Sequence, residues 1–274
     1  MRATIMIGWR GCLALISALA LTARFEAAAA ADTACLERAE TAQVAAVEDV
    51  RAIRLVDGRL LRAAGIESFA LLHADAAAAD AALLGRMQSL LAGNSLRIRL
   101  LSDETDRYGR LPALLAANGA PLLQTILVGE GLALAFATDK TVPCFAAILA
   151  AEDEARRKGR GFWTEARVLR ARPEALAPRT GRFAIFEGEV LSVGNRPGRS
   201  YLNFGYRWSS DVTVEISSRQ REALGGEATL ATLAGKRLRV RGFVEERAGP
   251  VVTVSSPMQI EVLGDAPAIL RNRP

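Results

Sequence analysis

Two arginines carry the first chemistry the sequence offers. Arg62 follows an Asp57-Gly58 pair in the run VDGRLLRAAGIES (residues 56–68), and Arg110 sits in the run DRYGRLP (residues 106–112). Asp-Gly tolerates the positive φ of a two-residue hairpin turn, so the first run predicts a turn followed by a strand that carries Arg62 and ends near Glu67-Ser68. The second run delivers Arg110 directly after a Tyr-Gly turn. Two guanidinium forks brought together from distant strands form a clamp for an anion, because their planar donors match phosphate oxygens.

The elements that must position this pair are legible from periodicity. Residues 41–55 predict a strand-rich entry with Val44, Val47, Ile53 and Leu55 inward, and residues 60–66 predict its hairpin partner. Residues 73–94 predict a helix: Asp75 is placed to cap it, Leu83, Met87, Leu90 and Leu91 share a face, and Gly93-Asn94 stops it. Residues 95–101, SLRIRLL, alternate apolar and basic and read as a strand, as do residues 111–116. Pro121 and Pro143 each open a further helix, the tolerated first position for proline.

These two runs together resemble the thermonuclease family, the staphylococcal-nuclease-like domains, over about residues 44–163. The stretch DRYGRLPALLAANGAPLLQTILVGEGLA (residues 106–133) is the most specific part. The resemblance implies a β-rich α+β fold, with a five-stranded barrel of the oligonucleotide-binding type and three helices. It also implies calcium-dependent phosphodiester cleavage. In that chemistry a carboxylate-held cation polarises the phosphate, a glutamate orients water, and two arginines take up the charge that grows on the phosphoryl oxygens. Carried over residue by residue, the two arginines are Arg62 and Arg110. The metal-binding aspartate of the second strand is Glu67, one methylene longer, and the threonine after it is Ser68. The catalytic glutamate is Ala70, which cannot handle a proton. The earlier metal-ligand aspartate is Arg51. The expectation is a guanidinium, Arg51, paired with Glu67 where calcium would sit, and weak or absent calcium binding. Asp49 or Asp75 would supply a ligand if the first strand were in a different register. Glu48 or Glu104 stands near enough in sequence to intrude as a base. His73, the lone histidine, has a suitable pKa for one too, but it reads as structural or solvated.

The chain has 274 residues, half of them apolar, with a net charge of +5 and a pI of about 9.5. The length suits two modest domains, and the composition excludes a disordered chain. A mildly basic balance suits a polyanion partner. The first 31 residues have the secretory pattern: Arg2 and Arg10, a short apolar run GCLALISALALTA, then small residues suited to cleavage. Periplasmic or secreted localisation follows as the expectation. Cys12 lies in that segment, leaving Cys35 and Cys144, which are expected to bond in an oxidising compartment. Closing so long a loop stabilises by about 4–5 kcal/mol in the chain-entropy model. No CxxC or Cys/His cluster points to a redox or zinc site.

The first domain is expected over residues 36–164, a Pro- and Arg-rich linker over 165–180, a second domain over 181–264 and a basic tail over 265–274. The second domain opens with FAIFEGEVLSV, carries a helical piece around residues 219–233, and ends in three closely spaced strands. That order resembles a second small oligonucleotide-binding-type barrel. Phe204 reads as core. Tyr206 and Trp208 stay open between packing and base stacking. The leading expectation is an exported protein of this family with a degenerate nuclease site, binding nucleic acid or another polyanion through Arg62 and Arg110, with Arg97 and Arg99 as further contacts. The alternatives are an active metal-dependent nuclease on DNA or RNA, which would need Ca2+, and a protein-interaction module of the cell envelope.

Overall fold

The computed structural model describes residues 35–136, 142–207 and 210–265, so the expected signal segment, Trp208 and nearly all of the basic tail lie outside the described residues. The chain is a strand-rich mixture of α and β built as two packed units. The first begins with β1 (Glu40–Asp49), β2 (Ala52–Leu55) and β3 (Leu60–Ala63). The entry expected as one strand is two, because the chain turns at Val50-Arg51 and β1 pairs back on β2. The Asp57-Gly58 turn forms as expected, with Gly58 at φ +91°. After β3, β4 (Ile66–Ser68), helix α1 (Ala76–Leu91), β5 (Ser95–Leu100) and β6 (Arg110–Ala117) follow. Strands β1, β2, β3, β6 and β5 close into a barrel in that order.

The residues expected to continue the β3 strand leave the barrel instead. Gly65 takes φ +81°, and a Cβ there would meet Val142 at 2.9 Å, so only glycine fits the break. Beyond it β4 pairs with β7 (Ala133–Ala135) as a separate two-stranded sheet. Helix α1 is shorter than its expected span at both ends. Asp75 caps it, accepting from Ala78 N at 2.9 Å, and Leu83, Met87 and Leu91 are buried against the barrel. The two prolines stand just ahead of α2 (Leu123–Gly129) and α3 (Phe145–Arg157) rather than in their first turns. Cys35 and Cys144 are joined by a disulfide, tying the described N-terminus to the start of α3.

Residues 165–180 are not a bare linker. They contain β8 (Leu169–Arg170) and a short helix α4 (Pro173–Leu176), whose Leu176 is fully buried in the second core. The second unit then runs β9 (Phe183–Glu189), β10 (Ser192–Arg196), β11 (Arg199–Asn203) and β12 (Thr213–Ser217). Two short helices, α5 (Ser218–Ala223) and α6 (Gly226–Ala231), precede β13 (Lys236–Glu246), β14 (Pro250–Val254) and β15 (Ile260–Asp265). These strands form one curled eight-stranded sheet, in which β8 joins β9 and β12 runs parallel to β14. Strands β9 and β10, consecutive in the chain, are not neighbours in this sheet. A second small barrel was expected; the sheet curls as a half-barrel.

Alternation in β9 and β13 explains how the units pack. Ala184, Phe186, Leu238 and Val240 point into the second core. On the opposite face Phe183 and Ile185 join Phe69, Leu134 and Trp163 of the first unit. Arg239 and Arg241 share that face. Arg241 is 1% exposed, bridges Glu152 of α3 at 2.7 Å and Glu261 at 2.6 Å, and donates to the Ala135 carbonyl at 2.8 Å. Burial opposes its charge, but the two carboxylates outweigh that and hold its pKa above the ordinary value. Glu152 completes the link by accepting from Ala135 N at 2.8 Å. No helix among the described residues is long and apolar enough to cross a membrane.

Candidate functional site

The parallel pairing of β3 and β6 brings the two arginines together. Leu60 stands opposite Arg110, and Arg62 opposite Pro112. Side chains two residues apart on a strand share a face, so Arg62 and Arg110 lie on the same face of neighbouring strands. Both line a cleft of about 1100 Å³ with Arg51, Glu67, Asp80, Arg107, Tyr108 and Phe136.

Arg110 is fixed by its own turn. The Asp106 carboxylate accepts from Tyr108 N and Arg110 N on one oxygen, and from Arg110 Nε at 2.9 Å and Nη2 at 2.7 Å on the other. Burial raises the Asp106 pKa, but these bonds outweigh it and hold the carboxyl below its usual range. Tyr108 is 59% exposed, and its ring carries the Arg107 guanidinium 4.9 Å and the Arg110 guanidinium 4.7 Å from its centroid.

 

The Glu67 side chain is 9% exposed, and both of its oxygens are engaged. Its Oε1 accepts from Arg51 Nη2 at 2.8 Å and from Ser68 N at 3.0 Å, and its Oε2 from Arg62 Nη2 at 3.3 Å. Burial lowers the Arg51 pKa, but Glu67, with smaller contributions from Asp80 and Asp49, outweighs that and raises it. The guanidinium expected beside Glu67 is therefore there. A calcium ion needs six to eight oxygen ligands. With Glu67 engaged by two guanidiniums, and no group of three or more His, Cys, Asp or Glu suited to a metal among the described residues, this cleft does not fit one as arranged.

Glu48 and Asp49 line the same cleft, whereas Ala70, His73, Arg97, Arg99 and Tyr206 do not. Ala70 and His73 line a separate crevice of about 630 Å³ between the two units. His73 Nε2 is 3.0 Å from Glu165, and its ring packs on Phe162. The Asp75 carbonyl first, then Glu165, hold the His73 pKa above its ordinary value against burial. Arg97 and Arg99 donate to the carbonyls of Leu36 and Cys35 and do not line the cleft. Phe204 is buried against Phe186, and Tyr206 is 81% exposed.

Sequence reasoning passed over Asp80, Arg107, Tyr108 and Phe136. Asp80 is the one charge in the alanine-rich start of α1, and its Oδ1 is buried without a hydrogen-bond partner. That lone charge was the available signal. Tyr108 was visible in the turn but was read only as turn chemistry. No curated protein matches the chain. Residues 81–165 match the family model of the staphylococcal nuclease homologue, a span that includes Arg110 and begins after Arg62 and Glu67, so this part of the first unit is similar to that family.

Proposed function

We propose that this is an exported nucleic-acid-binding protein whose nuclease site has lost its metal and its base. The observation that carries the reading is Arg51 bonded to Glu67 beside Arg62. A fixed guanidinium supplies the positive charge, and Arg62 and Arg110 remain on one face for phosphate oxygens. Arg62 Nε is buried and has no hydrogen-bond partner among the described residues. The exposed Tyr108 ring offers a stacking surface, which favours a single strand with accessible bases. Glu48, Asp49, Glu67, Asp80 and Asp106 line the same cleft and temper its field, so binding is modest and depends on stacking as well as charge. Both units are read as oligonucleotide-binding-type folds: in each, one pair of the curled sheet, β3–β6 and β12–β14, runs parallel beside antiparallel neighbours, with the short β8–β9 pair a second parallel pair in the second unit. The disulfide supports export to an oxidising compartment.

A second reading, an active phosphodiesterase, is favoured by one observation: Asp80 puts an unpartnered carboxylate oxygen at the cleft. The test is binding and cleavage of single-stranded DNA and RNA by protein lacking residues 1–31, with calcium, magnesium, manganese or chelator. Arg110→Ala controls for contaminating nuclease. The expected result is salt-sensitive binding, weakened in the variant, with no cleavage. Metal-dependent cleavage lost in both Arg110→Ala and Asp80→Asn establishes the second reading instead.

A further inference from the structure

The crevice between the units has the opposite charge balance to the cleft. Arg179 and Arg182 line it with His73, and no carboxylate does. Among the described residues neither arginine has an ion pair or side-chain hydrogen bond, whereas Arg51, Arg62 and Arg110 are all engaged. Phe243 stands at the same crevice, 49% exposed. Its place is set by the backbone: it is opposite Phe183 in the β9–β13 pair, while Val244 N donates to the Arg182 carbonyl at 3.0 Å. Arg239, Arg241 and Phe243 follow each other at every second residue, and only the last is left uncovered by the first unit. The crevice and the cleft share a wall. Phe136 lines the cleft and packs on Phe183 with centroids 5.6 Å apart, and Phe183 packs on Phe243 at 5.5 Å.

We infer that this crevice is a second subsite for single-stranded nucleic acid, in which Arg179 and Arg182 hold phosphate and Phe243 stacks a base. The inference rests on the proposed binding role of the first cleft. A strand leaving Tyr108 and Arg110 passes the Phe136–Phe183 wall and reaches unpaired guanidiniums and an open ring. Every base has a face to stack, so the subsite is tolerant of sequence.

The test is fluorescence anisotropy with labelled oligothymidylates of 4 and 16 nucleotides across a salt series. It compares the wild type with Phe243→Ala, Phe243→Trp, the Arg179→Ala/Arg182→Ala double variant and the Arg62→Ala/Arg110→Ala double variant. For the 16-mer, Phe243→Ala is expected to weaken binding about tenfold and Phe243→Trp to retain it. Removing Arg179 and Arg182 is expected to flatten the salt slope by about 0.7 per lost phosphate contact. The 4-mer, held at the cleft alone, is expected to change little. If the 16-mer responds only to loss of Arg62 and Arg110, the subsite is overturned and the cleft reading stands. If the wild type binds neither oligomer, both fall. Phe243 is half exposed, so its replacement leaves the fold intact, which circular dichroism checks.

Discussion

The cleft and the crevice sit on either side of one aromatic wall, yet they handle charge differently. In the cleft each principal guanidinium has a carboxylate partner, and Asp80 adds another negative charge. In the crevice two guanidiniums have none among the described residues. Under the proposed reading the cleft keeps the carboxylates of a metal site, and its guanidiniums take them as partners. A surface formed by docking two units carries no such history. Positive charge in a sequence is therefore a poor guide to anion affinity until its partners are known.

The strongest way to break the comparison is to loosen the wall itself. Arg241→Ala removes the guanidinium that holds Glu152, Glu261 and the Ala135 carbonyl together. It is expected to cost about 3–5 kcal/mol, because it strands a buried carboxylate. Urea unfolding measures this; a loss below 1 kcal/mol contradicts the assigned role. A smaller effect sharpens the contrast in charge. Asp80→Asn removes an acid from the cleft and is expected to tighten single-strand binding roughly fivefold at low salt, about 1 kcal/mol. Unchanged affinity would mean that Asp80 does not face the bound strand.

The smallest effect is on pH. The folded His73 pKa is raised above its ordinary value of 6.5. Its contribution to stability is fully present below about pH 6.5 and is lost as pH rises through the folded pKa. An NMR titration of His73 reads the shift, and His73→Ala is expected to remove that part of the pH dependence. Oligonucleotide bound in the crevice is expected to raise the pKa further, whereas a strand confined to the cleft leaves it in place.

Local patterns made much of the fold legible. Alternation in residues 95–100, the Asp57-Gly58 turn and the Asp75 cap each depend on neighbours in sequence, and each formed. Non-local partners were harder to read. The hairpin turn at Val50-Arg51 divides what looked like one strand, and Gly65 diverts β4 to β7 because a Cβ would strike Val142, a residue far along the chain. Arg97 and Arg99 look like a basic stripe in sequence, but the folded N-terminus supplies carbonyls that engage them.

The sequence by itself determined the chemistry available: two arginines with strand and turn context, an alanine and an arginine at the positions where the family resemblance implies a glutamate and a metal ligand, and two cysteines to pair. Only the tertiary structure decided how those charges meet. It joined Arg51 to Glu67, sent Ala70 and His73 to a different crevice, and set Phe136, Phe183 and Phe243 in contact between two units. The physical reason is range. Turns and caps are settled over a few residues, whereas ion pairs and packed rings depend on which distant segments the closed barrel and the docked sheet bring within a few ångströms.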